Sequence, residues 1–554
     1  MTAARSPRAR TAPLPARLPE PRLDEVARGG ALNLIGALVA ALTTLACTVV
    51  VTRQFSKPVA GAFFAAISLF LIVESVAGLG AWVGLVNFIA RLRRLGHPER
   101  VPAILRAAVL PVVAVSLVAT AGLLLLAGPL GRILLTGHLG QPGATPGMVA
   151  GGLRALAVAL PFAALADTLL GASRGYRDMR PTVIVDKIGR SGGQLVGMLI
   201  AVWAGSAALL APLWALPYGP AAVAAWYWLR HIRRAQRTGP GGTTAAAAPV
   251  SAGTGFGRAS PGGFWRFTGP RALANLAQIT IQRIDIVLVA IMRGPVAAAI
   301  YTAATRFLVA GQFANSAISQ AAQPRLAELF AVDDRRGATD MYRVTTAWLI
   351  VLTWPLYLLA VIYGPEILAI FGHSYRAGHP VMVILGLTML LATACGQVDM
   401  VLITAGRSSW SLANGLLAVL LNVGLDLLLI PRYGITGAAI GWAAAIIVTN
   451  LIPLTQLAAA LRLHPFGRGT VTAAGLAVAS FAVIPLAVRG AFGPGGAAAL
   501  SAVAAGCLVQ LAGLWRFRDS LRLAALPGLS RLRRLSGGRL RGTPHHRARR
   551  HRQR

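Results

Sequence analysis

"PVAGAFFAAISLFLI" (residues 58–72) returns 237 residues later as "PVAAAIYTAATRFLV" (residues 295–309), with seven of the fifteen positions identical and in the same order. The duplication reaches further along the chain. "ALNL" (31–34) corresponds to "ALANL" (272–276), and Arg53 before the first Pro-Val corresponds to Arg293 before the second. "GPLGRILLTGH" (128–138) corresponds to "GPEILAIFGH" (364–373). Four ordered matches at a nearly constant offset exceed what small apolar residues produce by coincidence, so they predict two copies of one bundle. The copies differ at one charged position: Arg306 stands where the first has Leu69.

The chain has 554 residues, of which 56% are hydrophobic and 13% charged, and its mean hydropathy is +0.65. Apolar stretches of 18 or more residues, long enough for a hydrocarbon layer of roughly 30 Å, recur along it. The class expected is an all-α polytopic membrane protein; the segments of about ten alternating residues that a β-barrel needs are not its pattern. About fourteen transmembrane helices are expected. Six fall in the first copy, at 31–53, 59–82, 107–127, 155–171, 183–204 and 208–229. Six fall in the second, at 270–292, 296–320, 344–363, 380–404, 411–430 and 435–457, and two follow at 471–488 and 497–514. An even number of spans per copy makes both enter the membrane in the same sense. That predicts two six-helix bundles related by a pseudo-twofold along the membrane normal, with the pathway between them.

The expected domain map is an Arg/Pro-rich cytoplasmic tail (1–30), the first bundle (31–237), a flexible linker (238–262), the second bundle (263–461), two extra helices (462–515) and a basic tail (516–554). The linker expectation comes from "TGPGGTTAAAAPVSAGTGFG" (238–257). Net charge is +36, and Lys57 and Lys187 are the only lysines. The arginines collect in "RLRRLGHPER" (91–100), "SRGYRDMRP" (173–181), "RHIRRAQR" (230–237) and the tails. By the positive-inside rule this puts both termini in the cytoplasm, with the basic tails facing anionic lipid; nucleic acid is not the expected partner. The N-terminus reads as a cytoplasmic tail followed by a retained helix, not a cleaved signal. Cys47, Cys395 and Cys507 lie far apart in apolar runs and suggest neither a disulfide framework nor a metal site.

Ionisable groups inside spans carry most of the functional information, because each costs about 2.5–3.5 kcal/mol to insert. The seventh span, "NLAQITIQRIDIVLVAI" (275–291), is the richest. Gln278, Gln282 and Asp285 are spaced i, i+4, i+7 and share a helix face. Arg283 points roughly to the other side. Asp285 and Arg306 lie on consecutive antiparallel helices and could meet across the pair, with Gln312 and Asn315 loosely aligned beyond Arg306. Two readings stand. In one, Arg283 and Arg306 receive an anionic headgroup, Gln278, Gln282, Gln312 and Asn315 contact substrate, and Asp285 serves as counter-ion or coupling-ion site. In the other, a buried ion pair locks two helices together. Glu74 in "FLIVESVAGLG" is either a proton or cation site or a hydrogen-bonded residue; Asp167, Asp399 and Asp426 are weaker candidates. Asn33 and Asn275 recur at matching repeat positions, which suits packing as well as a sugar contact. "GRSGG" (189–193) lacks phosphate-loop spacing and, with Gly197, reads as small-residue helix packing, as does "GAAIG" (437–441). No catalytic, metal-binding or nucleotide-binding motif is found, so neither an enzyme nor a cofactor is expected.

Four stretches carry a family resemblance: "GLGAWVGLVNFIARLRRLGHPERVPAILR" (78–106), "RIDIVLVAIMRGPVAAAIYTAATRF" (283–307), "AQPRLAEL" (322–329) and "LNVGLDLLLIPRYGITGAAIGWA" (421–443). The sequence resembles the multidrug/oligosaccharidyl-lipid/polysaccharide exporter superfamily, and within it the polysaccharide (O-antigen-type) flippase branch. The resemblance implies alternating access at the cell inner membrane and outward flipping of an undecaprenyl-pyrophosphate-linked oligosaccharide for cell-surface polysaccharide synthesis, by a monomer coupled to an ion gradient. It also implies a cationic cavity for the pyrophosphate, carried here onto Arg283 and Arg306, and polysaccharide assembly proteins as further partners. Lipid II flippases of the superfamily have an Arg-containing motif early in their first helix, whereas "ALNLIGALVAALTTL" (31–45) has no internal charge. The alternatives are a cation-coupled multidrug exporter of the same fold, kept open by Glu74 and Asp285, and a non-transporting scaffold for assembly enzymes.

Overall fold

A computed structural model describes residues 23–135, 144–238, 261–493 and 495–522. Most of the expected N-terminal tail, nearly all of the linker and most of the basic tail lie outside these residues. The regular elements among the described residues are all helices. The first copy contains α1 (Leu23–Gln54), α2 (Lys57–Ala77), α3 (Ala81–Arg94), α4 (Val101–Ile133), α5 (Pro146–Gly175), a π-helical stretch Thr182–Arg190 running into α6 (Ser191–Trp203), α7 (Leu210–Ala215) and α8 (Tyr218–Thr238). The second contains α9 (Pro261–Thr305), α10 (Leu308–Ala331), α11 (Arg335–Ile362), α12 (Gly364–Leu368), α13 (His379–Ala394), α14 (Val398–Thr404), α15 (Ser408–Tyr433) and α16 (Ile435–Leu461). α17 (Arg468–Val478), α18 (Ile484–Phe492) and α19 (Gly496–Arg516) follow.

The packing suits a lipid solvent. Large apolar side chains such as Val118, Leu125, Leu420 and Leu500 are exposed on the outside. The interior is rich in alanine, with Ala60, Ala65, Ala299 and Ala304 fully buried. Lipid tails are as apolar as leucine, so helices gain by bringing small residues together rather than by hiding large ones. α9 turns at Gly294, whose φ of 83° is left-handed and open to glycine, and Pro295 then opens the next helical run.

The two repeated phrases pack on each other. α2 and α9 share the most extensive interhelical contact among the described residues, and a Cβ on Gly61 would collide with the Pro295 carbonyl. This approach is backbone to backbone and lies at the end of the bundle where α1 turns into α2. The matched arginines cap helix ends beside it. Arg53 Nε and Nη2 donate to the carbonyls of Ile370 (2.7 Å) and Ala369 (2.9 Å). Arg293 donates to Ile430 (2.9 Å) and Pro431. Cations on C-terminal carbonyls satisfy groups the helix cannot. Gly61→Ala is therefore expected to destabilise this end of the bundle by about 1–3 kcal/mol, the usual cost of overpacking. Cysteine labelling near Pro58 and Pro295 measures it: accessibility should rise in the variant.

Twelve helical segments among the described residues are long and apolar enough to cross a membrane, and the chain is a multi-pass membrane protein. The expected fifth and eighth spans are the two that do not meet that standard. Residues 182–203 begin in π-helical turns carrying Asp186, Lys187 and Arg190. The eighth is interrupted at Arg306 and Phe307, and its main part, α10, carries Gln312, Asn315, Ser316, Ser319, Gln320 and Gln323. Both are helical but polar because both line cavities.

Candidate functional site

α10 sorts its polar residues onto two faces. Gln312, Asn315, Ser319 and Gln323 follow i, i+3, i+7, i+11 and line one cavity. Phe313, Ser316 and Gln320 line another. α9 does the same, with Gln278 and Gln282 on the first side and Arg283 on the second. The two helices thus stand between a cavity of about 580 Å³ containing Arg283 and Arg306 and a cavity of about 550 Å³ containing Gln278, Gln282, Gln312 and Asn315. The sequence-predicted substrate residues divide between them, and Glu74 belongs with the arginines.

The arginine cavity is highly charged for a membrane interior. It holds Glu74, Asp167 and Asp186 against Lys187, Arg190, Arg283 and Arg306. Some of these neutralise one another: Arg190 Nε donates to Asp186 Oδ1 at 2.6 Å, and its guanidinium lies 5.1 Å from the Tyr218 ring centre. Lys187 Nζ donates to Asn33 Oδ1 at 2.7 Å. The Glu74 and Asp167 carboxyls lie within hydrogen-bonding reach of each other. Arg283 and Arg306 have no such partner: among the described residues neither guanidinium makes an ion pair or hydrogen bond, and Arg306 Nε is buried with nothing to receive it. Two guanidinium groups without an ion-pair partner thus line one cavity, an arrangement whose charge and planar forks are complementary to an anion.

Asp285 is not the partner of Arg306, which corrects the expected contact across the helix pair. Asp285 is buried, outside both cavities, and Tyr301 OH donates to its Oδ2 at 2.7 Å. Its neighbours come from α15: Asn422 Nδ2 donates to Asp426 Oδ2 at 3.3 Å, and Asp426 and Asn422 both reach Asp285. Asp285 Oδ1, Asp426 Oδ1 and Asn422 Oδ1 are all buried without a hydrogen-bond donor. Three unpaired oxygens in one dry place fit a proton or a small cation.

The sequence reading missed Asp186, Lys187 and Arg190 as cavity residues. The signal was available in "VDKIGR" (185–190), three charges inside an otherwise apolar span. The glycines in and after it (Gly189, Gly192, Gly193) carry a competing small-residue packing signal. The repeated asparagines prove to be reciprocal: Asn33 Nδ2 of α1 donates to Gln320 of α10 (3.2 Å), and Asn275 Nδ2 of α9 donates to Ser75 of α2 (3.4 Å). Each copy ties itself to the other at the same repeat position.

The MatE family model matches residues 270–428. No curated protein matches the sequence. Among solved structures, the chain is similar to the lipid II flippase MurJ in an inward closed conformation, at TM-score 0.67 and 13% identity, covering 89% of this chain and 99% of that one. It is also similar to an inward-facing multidrug resistance MATE transporter of the MOP superfamily, at TM-score 0.58 and 17% identity over 77% and 99%. A third is a MOP superfamily transporter from Pyrococcus furiosus described as having a binding pocket of reversed polarity, at 0.52 and 17% over 79% and 96%. At these identities the likeness is one of fold.

Proposed function

We propose that this chain, which has the MOP superfamily fold and a MatE domain in its second copy, is a flippase that moves a polyprenyl-pyrophosphate-linked oligosaccharide, of the undecaprenyl type, across the cell inner membrane by alternating access. One observation carries the reading: Arg283 and Arg306, both without a counter-ion, line one cavity inside a membrane protein. A pyrophosphate supplies the missing charge and can take both planar forks at once. The lining of the arginine cavity runs over residues 33–48 of α1, 63–74 of α2 and 313–320 of α10, with Asn33, Glu74 and Gln320 toward the bundle end that carries the Arg-rich loops. With that end in the cytoplasm, the arginine cavity would load substrate from the inner leaflet, and the close Gly61–Pro295 approach lies toward the opposite end. Gln278, Gln282, Gln312 and Asn315 are assigned to substrate contact, and Asp285 with Asn422 and Asp426 to the coupling ion. The protein acts as a monomer, with its basic tails on anionic lipid and assembly proteins as further partners.

A second reading, export of cationic drugs, is favoured by the Glu74–Asp167 pair together with Phe63, Phe64, Trp214 and Tyr218 in the same cavity. A scaffold with no transport activity has no use for either cavity. The discriminating experiment deletes the gene and follows lipid-linked sugar in the cytoplasmic leaflet. Accumulation is expected; no accumulation, with increased sensitivity to cationic drugs, reverses the ranking.

A further inference from the structure

The cavity on the other face of α9 and α10 has different chemistry from the arginine cavity. Eight side-chain amides line it and one charged residue, Asp399. Trp442, 8% exposed, presents an aromatic surface. Asn414 is held by reciprocal hydrogen bonds with Gln456, Nδ2 to Oε1 at 2.8 Å and Nε2 to Oδ1 at 3.2 Å. Gln397 is the most informative member. It is only 5% exposed, its Nε2 is committed to the Asn315 carbonyl at 2.8 Å, and its Oε1 is buried with no donor. An acceptor left unpaired in such a place costs about 1–3 kcal/mol, and the group it lacks is a hydroxyl or an N–H.

We infer that this cavity is a chamber for uncharged sugars: it holds the hydroxyl- or acetamido-bearing rings of the lipid-linked substrate while the arginine cavity holds the pyrophosphate, and it selects against acidic sugars. The inference rests on the flippase reading above. Amides both donate and accept, as sugar hydroxyls and acetamido groups do. Trp442 offers its face to the apolar face of a pyranose ring. A uronate carboxylate finds no cation among the lining residues and meets Asp399, so it loses its hydration without recovering a charged partner. Gln282 and Arg283, adjacent on α9, set the two linings back to back, and on α10 Gln320 and Gln323 extend them side by side.

The test uses the full chain and three probes: polyprenyl pyrophosphate bare, carrying a neutral N-acetylated disaccharide, and carrying a uronate-containing disaccharide of equal size. Native mass spectrometry reads affinity, and reconstituted vesicles read flipping. The neutral disaccharide is expected to bind about tenfold tighter than the bare lipid, the worth of one well-placed hydrogen bond to a buried acceptor, and the uronate form to lose that advantage. Gln397→Ala and Trp442→Ala should reduce the neutral-to-bare ratio to about one. Asp399→Asn should admit the uronate lipid, a gain that misfolding cannot produce. Equal affinity for all three lipids, or a ratio unchanged in both Gln397→Ala and Trp442→Ala, overturns the chamber while leaving the flippase reading in place. Failure of all three lipids to bind overturns both.

Discussion

Replacing Arg306 by alanine is expected to abolish flipping of a pyrophosphate-linked lipid while the protein still inserts and folds, and Arg283→Ala to do the same. Removing one partner of a desolvated charge pair costs about 2–5 kcal/mol, roughly 30-fold to several thousand-fold in affinity. Arg306→Lys should recover part of the activity, since it keeps the charge but not the fork that grips two phosphate oxygens. Thermal unfolding of the same variants separates the two readings open at the sequence level. If Arg306 locked helices through an ion pair, its removal would destabilise the protein. Here it has no partner among the described residues and a buried, unsatisfied Nε, so Arg306→Ala should hold stability or raise it. Full transport in both alanine variants would refute the anion-site assignment; a large drop in melting temperature would point back to a structural role.

How much of this was legible depended on whether the deciding contact was local. The duplicated phrase predicted two like bundles, and its alanines and Gly61 are what allow α2 and α9 to meet so closely. Helix faces were legible too: the spacing of Gln278 and Gln282 put them together, with Arg283 turned away, as the cavities are arranged. Extending that spacing to Asp285 was less informative, because a face about two turns long can leave a cavity and enter solid protein. Its neighbours Asn422 and Asp426 are one helical turn apart on α15, but nothing in the sequence ties α15 to α9. Hydropathy likewise expected about fourteen spans, whereas a helix that lines cavities on two faces, as α10 does, need not be apolar. The π-helical turns before α6 are the hardest case. They set Asp186 and Arg190 beside the cavity, and no periodicity announces them.

Asp285→Asn and Asp426→Asn are expected to uncouple transport from its driving ion while leaving a slow, gradient-independent flipping. Two carboxyls within hydrogen-bonding reach of each other and buried from water must share a proton or hold a cation between them; otherwise their repulsion and desolvation are unopposed. The three donorless oxygens of Asp285, Asn422 and Asp426 supply the ligands. Gly441 allows the close packing around them, since a Cβ there would collide with Asp426 Oδ1. The cluster lies outside both cavities, so on this reading the ion and the lipid need not touch. Binding would act on α9 and α15, and α9 carries Arg283 two residues from Asp285. On the proposed reading, that adjacency would link ion occupancy on one face of the helix to headgroup affinity on the other. A membrane potential of 100 mV is worth about 2.3 kcal/mol per charge moved, or about fiftyfold in accumulation, and the variants should forfeit that factor. The measurement is initial flipping rate in vesicles with and without an imposed proton or sodium gradient. Loss of the gradient response with the ungradiented rate preserved identifies the cluster as the coupling site. A response undiminished in both variants leaves it a buried tie between α9 and α15, and coupling would then have to be sought at Glu74 and Asp167.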